Sequence, residues 1–170
     1  MIIKPNFSNA PAYSHRYIDL VEGNDLCAEL KNSFQMTKEL FLSLPTDKIN
    51  YSYSENKWTV KEVLRHIIDC ERIYAYRIFR LSRMDNTPLN SFDENEYINN
   101  ISKLDYSLLD LLEEFELQRN STLKLFQPIT IEMLDFEGTV NNALFTPRLL
   151  GYLVVGHNIH HCNMIKTRYL

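Results

Sequence analysis

The 170-residue sequence predicts an all-α protein with four long helices. Apolar residues recur at intervals of three and four over four separate segments, which is the spacing of one face of an α-helix. The chain also has only four glycines and six prolines, too few for a turn-rich all-β protein. Since no repeat, low-complexity tract or linker interrupts the sequence, we expect a single domain over residues 1–170.

The first helix is predicted from about Asp25 to Leu44. Asp25 can accept a hydrogen bond from a free backbone N–H of the first turn, and Pro45 ends the helix because it cannot continue the hydrogen-bond pattern. The expected core face comprises Leu26, Leu30, Phe34, Leu40, Phe41 and Leu44.

The second helix is predicted from about Val60 to Met84. Thr59 and Glu62 match a capping box, in which each side chain accepts a hydrogen bond from the other residue's backbone N–H. Trp58 and Val63 stand at the two positions of a hydrophobic staple. A helix start defined this closely also determines the orientation of His66, which lies two turns into the helix.

The third helix is predicted from about Lys103 to Phe126, capped by Ser102 with Asp105 three residues later and ended by Pro128. The connections between predicted helices are roughly 15 to 20 residues long, against about 2 to 8 in most helical bundles. Residues 90–97 and 135–142 therefore either line the mouth of a pocket or merely cover the ends of the bundle.

The fourth helix is predicted from Pro147 to about Arg168, with Thr146 as its cap and proline in its first turn. Its apolar stripe includes Leu150, Val154 and Ile165, and two histidines continue that stripe. His157 and His161 are four residues apart, so they project from the same face of the helix. Buried imidazoles need polar partners, and the pair therefore requires an explanation.

His66, His157 and His161 form a candidate metal site, with two ligands from one helix and the third from another. Imidazole suits Zn²⁺, Ni²⁺, Fe²⁺ and Cu²⁺. Three protein ligands leave coordination positions open for water or substrate, as in catalytic rather than structural metal sites. The alternative is a pair of buried, hydrogen-bonded histidines with an unrelated third.

Three further residues are candidates for the surroundings of this site. His160 lies about 100° around the helix from His161, so it is a candidate for the pocket wall or for contact with a ligand, or is simply exposed. Asp69 can accept the ring N–H of a ligand histidine or remain solvated. Cys70, one turn after His66, is either a soft fourth ligand or a small buried apolar residue.

Two known metal motifs are excluded by the sequence. The spacing of His157 and His161 matches that of the zinc-protease HExxH motif, but Asn158 replaces the glutamate that serves as general base. A di-iron bundle needs Glu-x-x-His pairs on two helices, and the sequence has none. We retain Asn158 only as a candidate pocket residue.

Charge, hydropathy and cysteine content indicate which kinds of partner and which cellular location to expect. The net charge of −4 and the lack of a basic run argue against nucleic-acid binding. No apolar run has transmembrane length, and the first residues do not resemble a signal peptide. The three cysteines form no CxxC pair, which favours reduced thiols in the cytoplasm. We expect a cytoplasmic protein whose partner is a small-molecule substrate.

Three segments resemble the DinB-like superfamily: Lys57 to Arg72 (KWTVKEVLRHIIDCER), Phe92 to Tyr97 (FDENEY) and Gly156 to His161 (GHNIHH). The resemblance extends from about Leu26 to the C-terminus. It implies a four-helix bundle with long crossover connections and an up-down-down-up arrangement. It also implies a divalent metal held by the three histidines named above, and possible homodimers.

The superfamily includes bacillithiol and related thiol S-transferases and proteins described as metal-dependent hydrolases. The resemblance thus implies an enzyme that uses a divalent transition metal (zinc, nickel or iron), with a low-molecular-weight thiol as possible co-substrate. We expect transfer of that thiol to an electrophile, with hydrolysis by a metal-activated water and non-catalytic metal or ligand binding as alternatives. Asn158, where many relatives have glutamate, favours thiol transfer. The chain also departs from the commoner pattern over Val140 to Phe145.

Overall fold

The computed structural model describes residues 1–4, 6–8, 10–101 and 106–170. Within these residues, the secondary structure is almost entirely helical. The α-helices are α1 (His15–Ile18), α2 (Leu26–Leu42), α3 (Val60–Ser82), α4 (Glu94–Ile101), α5 (Leu108–Phe126), α6 (Ile131–Leu134) and α7 (Pro147–Arg168). Short 3₁₀ helices cover Ala12–Ser14 and Thr46–Lys48, and a hairpin joins β1 (Gly138–Val140) to β2 (Ala143–Phe145). None of the described helices is both long and apolar enough to cross a membrane.

Helices α2, α3, α5 and α7 form a four-helix bundle, and α2 runs parallel to α7. The hydroxyl oxygen of Thr37, in the second half of α2, lies 3.2 Å from the sulfur of Cys162, in the second half of α7. Lys48, which follows α2, donates to the carbonyl of Tyr169, which follows α7. Helix α3 runs the opposite way, because the Tyr169 hydroxyl donates to the carbonyl of Trp58 just before α3 begins.

The direction of α5 completes the topology. Its residues Glu114 and Arg119 pair in that order with Arg65 and Glu71, so α5 runs parallel to α3. The bundle therefore has the predicted up-down-down-up arrangement, in which successive helices α3 and α5 point the same way. Parallel neighbours need a connection that spans the bundle length, which explains the long segment between these two helices.

Three of the four predicted long helices have the predicted starts. The carboxylate of Asp25 accepts from the backbone N–H of Cys27 at the start of α2. The capping box of Thr59 and Glu62 is present at the start of α3. The Thr146 hydroxyl accepts from the backbone N–H of Leu149 at the start of α7. These caps act within one turn, which is why local sequence was sufficient to predict them.

The start of the third long helix differs from the prediction. Helix α5 begins at Leu108, with a capping box formed by Ser107 and Asp110. The predicted start at Lys103 and the cap by Ser102 with Asp105 lie outside the described residues. Both Ser-x-x-Asp sequences satisfy the local capping rule, so that rule cannot choose between them. Residues 94–101, which were predicted as a connection, form the separate helix α4.

The small hairpin is the one sheet among the described residues, and it holds a connecting loop in place. Asn141 and Asn142 adopt positive φ angles of 47° and 61°, which suits the tight turn between β1 and β2. Leu89 extends this sheet, since its N–H donates to Thr139 and its carbonyl accepts from Asn141. The segment that follows α3 is thereby held beside the hairpin.

The buried apolar residues form two clusters along α7. The first surrounds the N-terminal half of α7, from Leu149 to Val155, and includes the start of α2 and the end of α3. The second surrounds Cys162 and Ile165 and includes the start of α3 and the first half of α5. His157 and His161 lie between the two clusters, so the polar site has apolar packing on either side along the bundle axis.

Candidate metal centre

Helix α7 places two of the candidate ligands side by side. His157 and His161 are one turn apart, with ring centroids separated by 4.5 Å. Their Nε2 atoms lie 3.1 Å from each other. Both residues are buried, with exposed fractions of 5% and 7%. The i, i+4 spacing predicted this proximity, and packing of α7 against α3 removes both rings from water.

Helix α3 supplies the third histidine from the opposite side. The Nε2 atom of His66 lies 3.0 Å from the Nε2 atom of His157, although the two residues are 91 positions apart in the sequence. The candidate ligand atoms of the three histidines all lie within 4.8 Å of one another. The structure therefore brings together the three residues that the sequence analysis had selected.

The spacing of these nitrogens fits a single divalent ion. The Nε2 atom of His157 lies 3.0 Å from that of His66 and 3.1 Å from that of His161. If both nitrogens of either pair bound zinc at about 2.0–2.1 Å, they would subtend an angle of about 95° at the ion. An ion held by three histidines would keep further coordination positions for water or substrate, as in catalytic sites.

The histidines are held in the protonation state that binds metal. Burial lowers the pKa of His66 to about 4 and that of His161 to about 2, and nearby imidazoles contribute in the same direction. The pKa of His157 also falls well below its usual value, mainly through burial. All three rings are thus neutral at physiological pH. Neutral imidazole is the ligand form, so no proton has to be displaced when an ion binds.

Aromatic side chains pack against two of the three histidine rings. Trp58 packs against His66 with centroids 4.6 Å apart. The ring of Tyr17, in α1, meets His157 edge-on at 5.4 Å. Helix α1 reaches this position because Gly156 has no side chain: a Cβ atom there would collide with the backbone carbonyl of Tyr17. The glycine that precedes His157 therefore has a packing role.

A cavity of about 260 Å³ opens beside the histidines. It is lined by His66 and His157, by residues of α1 and α3, and by the two connections predicted to border a pocket. Ser91, Phe92 and Glu94 come from the first of these connections, and Asn141 comes from the second. A smaller cleft of about 200 Å³ reaches His161 from the other side, beside Trp58 and Met164.

Comparison with known proteins identifies the family. The sequence model of the DinB superfamily matches residues 29–165, which include all three histidines. The chain belongs to the DinB superfamily. It is 24% identical over 150 residues to a protein of Oceanobacillus iheyensis named as an inferred metal-dependent hydrolase, covering 85% of this chain and 84% of that protein.

Two solved structures share the fold. YfiT of Bacillus subtilis, described as a probable metal-dependent hydrolase with an unusual four-helix bundle topology, matches with a TM-score of 0.71 and 19% identity. That match covers 96% of this chain and 89% of YfiT. The DinB-like protein YjoA of Bacillus subtilis matches with a TM-score of 0.61 and 21% identity over 86% of this chain and 90% of YjoA.

The structure places the other candidate residues of this DinB protein in different surroundings. Asp69 pairs with Arg72 at 3.2 Å and lies near Arg65, so its carboxylate belongs to an ion-pair network between α3 and α5 rather than to the histidine cluster. His160 is half-buried and meets the rings of Tyr17 and His161 edge-on at 5.3 Å and 5.1 Å. It therefore lies next to the cluster without joining it.

Asn158 points into the bundle core. Its amide oxygen accepts from Arg119 at 3.1 Å, and its amide nitrogen donates to Thr37 at 2.6 Å. Arg119 is in turn paired with Glu71 in an ion pair that is almost fully buried. Position 158 thus connects α7 to α2 and α5. Its side chain is committed to those partners and does not line the cavity.

Cys70 lies close to the cluster and lines the cavity, with its sulfur 3.6 Å from Nδ1 of His66. Burial is the main reason why the pKa of this thiol is raised strongly. Without an ion the sulfur is therefore protonated, which is the state of a small buried apolar residue. Cys70 is not part of the group of three candidate ligands.

Sequence analysis missed the residues of α3 that extend along the cavity. Tyr74 and Arg77 follow His66 by eight and eleven residues, and both line the cavity. At 100° per residue, Arg77 lies about 20° from His66 around the helix and Tyr74 about 80°. The helical spacing therefore indicated Arg77 but not Tyr74. Tyr17 was not predictable in this way, because α1 has only four residues and shows no periodic pattern.

Proposed function

We propose that this DinB protein is a metal-dependent hydrolase in which His66, His157 and His161 hold a divalent ion at the wall of the cavity. One observation carries the proposal: three neutral imidazole nitrogens converge beside a cavity large enough for a small molecule. A divalent ion held by three imidazoles lowers the pKa of a bound water toward neutrality and polarises a carbonyl oxygen. The relatives named as metal-dependent hydrolases support the same chemistry.

The protein's own groups perform the remaining tasks. Trp58 and Tyr17 hold the imidazoles in place through ring contacts. The apolar clusters pack on either side of the histidines along the bundle axis. Tyr74, whose pKa is raised by burial, keeps its hydroxyl proton and is available as a hydrogen-bond donor inside the cavity. A substrate would therefore meet this neutral donor beside the metal ligands.

The orientation of Asn158 changes the order of the two chemical hypotheses. The sequence analysis favoured thiol transfer because asparagine replaces the glutamate of a zinc protease. In the structure that side chain faces Arg119 and Thr37, so a residue at position 158 would not reach a substrate in the cavity. The argument against hydrolysis is thereby removed.

Transfer of a low-molecular-weight thiol is the second candidate, and the lining of the cavity favours it in one respect. Among the described residues that line the cavity, Glu94 is the one carboxylate, and it is exposed. Hydrolysis benefits from a nearby general base, whereas a thiol loses its proton when it binds a metal. A scarcity of bases is therefore less of an obstacle for a thiol nucleophile.

The experiment combines metal analysis with two assays on matched variants. His161→Ala removes a ligand, and His160→Ala removes the adjacent histidine from the same helix. We expect metal content after dialysis to fall to a small fraction in His161→Ala and to stay near the wild-type level in His160→Ala. Cleavage of a panel of small esters and amides should follow metal content, stop with a chelator and return with Zn²⁺, Ni²⁺ or Fe²⁺.

Three results would contradict parts of the proposal. Full metal occupancy in His161→Ala would refute the ligand set. Metal-dependent loss of free thiol, without ester or amide cleavage, would replace hydrolysis with thiol transfer. Tight metal binding without turnover in either assay would identify a metal-binding module instead of an enzyme.

A further inference from the structure

The buried arginine of the cavity, Arg77, differs from the other buried arginines of the bundle. Arg65 and Arg119, which are 5% and 1% exposed, each contact a glutamate, at 2.7 Å and 2.9 Å. Arg77 is 7% exposed, but no carboxylate oxygen of the described residues lies within 4.0 Å of its guanidinium. Since buried charges are normally paired, Arg77 is a buried cation that lacks an anion among the residues that the structure describes.

The neighbours of Arg77 position its guanidinium without neutralising it. One nitrogen, Nη2, donates to the backbone carbonyl of Asn90 at 2.7 Å. The guanidinium also lies over the ring of Phe92, 5.4 Å from the centroid, and over Tyr74 at 6.0 Å. A guanidinium has five N–H donors in a planar fork, so most of them remain for another acceptor. Burial lowers the pKa of Arg77, which reflects the same unfavourable isolation of its charge.

The rest of the cavity has few charges. Arg16 lines it from the exposed end of α1, where its guanidinium donates to the Tyr17 hydroxyl at 2.6 Å. Glu94, the carboxylate of the lining, is exposed to water and is screened by it. The buried part of the cavity is therefore cationic. Five of the residues that line it are aromatic: Tyr13, Tyr17, Tyr74, Phe92 and Phe145.

We propose that Arg77 is the recognition site for a carboxylate on the substrate, and that the substrate has a compact aromatic or apolar body. A carboxylate matches the planar fork of the guanidinium and supplies the missing anion. The aromatic walls and the volume of about 260 Å³ suit a body the size of one or two rings. This inference rests on the proposed function, because it assigns the substrate class of the same cavity.

Binding of benzoate and benzamide to metal-free protein tests the proposal. The two probes have nearly the same shape and differ in charge, and removal of metal with a chelator prevents benzoate from binding an ion instead. Hydrogen bonds to charged groups contribute about 1.5–3 kcal/mol, so titration calorimetry should show benzoate binding at least about tenfold more tightly than benzamide. Arg77→Met should abolish this preference, and Arg77→Lys should keep part of it.

Arg80→Met is the matched control. Arg80 is one turn further along α3, pairs with Asp85 and does not line the cavity. Its loss removes the same charge from the same helix, so benzoate binding should stay at the wild-type level. The benzoate-to-benzamide ratio in the wild-type protein needs no variant. Absence of a benzoate preference would therefore overturn the proposal even if Arg77→Met fails to fold.

The outcomes separate this inference from the proposed function. Equal binding of benzoate and benzamide to the wild type, or an unchanged preference in folded Arg77→Met, would overturn it. Loss of the preference in Arg80→Met as well would show that general charge, not Arg77, attracts the anion. Selective benzoate binding without any hydrolysis would support Arg77 as the carboxylate site and refute the proposed hydrolysis. Metal-dependent hydrolysis of neutral esters with no preference for carboxylates would support the proposed hydrolysis and refute Arg77 as the carboxylate site.

Discussion

Acid should unfold the metal-free protein through its three buried histidines. In the unfolded chain each imidazole has a pKa of about 6.5, whereas in the folded protein the pKa values of His66 and His161 are about 4 and about 2. The pKa of His157 is also well below 6.5. Below pH 6.5 the unfolded state therefore binds protons that the folded state excludes, and stability falls as pH falls. The loss of stability caused by His66 is complete near pH 4, and the loss caused by His161 continues to about pH 2.

The size of the effect follows from these shifts. At pH 5 the unfolded chain has gained protons over an interval of about 1.5 pH units, while the folded histidines are still mostly neutral. At about 1.36 kcal/mol per unit, His66 and His161 each lower the free energy of unfolding by about 2 kcal/mol relative to neutral pH, and His157 adds to this loss. Whole domains are stable by about 5–15 kcal/mol, so this loss would unfold a domain at the lower end of that range.

Urea unfolding of chelated protein between pH 7.5 and pH 5 measures this loss. His66 and His161 should together make the wild-type free energy of unfolding fall by about 2.5 kcal/mol per pH unit near pH 5, and His157 and His160, whose pKa values are also lowered by burial, should make the slope steeper. The slope gives the number of protons taken up on unfolding. His66→Gln should lower this number by about one, and His66→Gln/His161→Gln should lower it by about two. Carboxylates also titrate in this range, but they contribute equally to all three proteins. An identical slope in all three proteins would refute the assignment of the pH dependence to the buried imidazoles.

Three further predictions concern packing and metal. Gly156→Ala should cost about 1–3 kcal/mol of stability despite the better helix propensity of alanine, because the new methyl group meets the carbonyl of Tyr17; an unchanged melting temperature would contradict this. Arg119→Met should cost about 3–5 kcal/mol, because it leaves Glu71 buried and unpaired, and Glu71→Leu/Arg119→Met should recover most of the loss in urea unfolding. Metal-free protein should keep a helical circular dichroism spectrum, and metal at a hundredfold excess over its Kd should add about 2.7 kcal/mol; a random-coil spectrum would instead indicate a structural metal.

Local rules account for most of what was predictable about the fold. The starts of α3 and α7 were predicted from Thr59 with Glu62 and from Thr146 with Pro147, because each signal acts within one turn. The start of α5 was not predictable from the same rule, since two capping sequences lie five residues apart. The hairpin was missed because its strands have three residues each, which is too short for a recognisable alternating pattern.

The sequence by itself determined which side chains share a helix face, and so it determined that His157 and His161 are neighbours. Only the tertiary structure decided what those faces meet. Within one helix, successive residues are related by a fixed rotation of 100°, whereas the orientation of one helix about its axis depends on packing along its whole apolar face. That packing brought His66 to the histidine pair and turned Asp69 toward Arg72. It also left Arg77 buried without a carboxylate partner among the described residues, a feature that depends on several elements at once and that no local pattern contains.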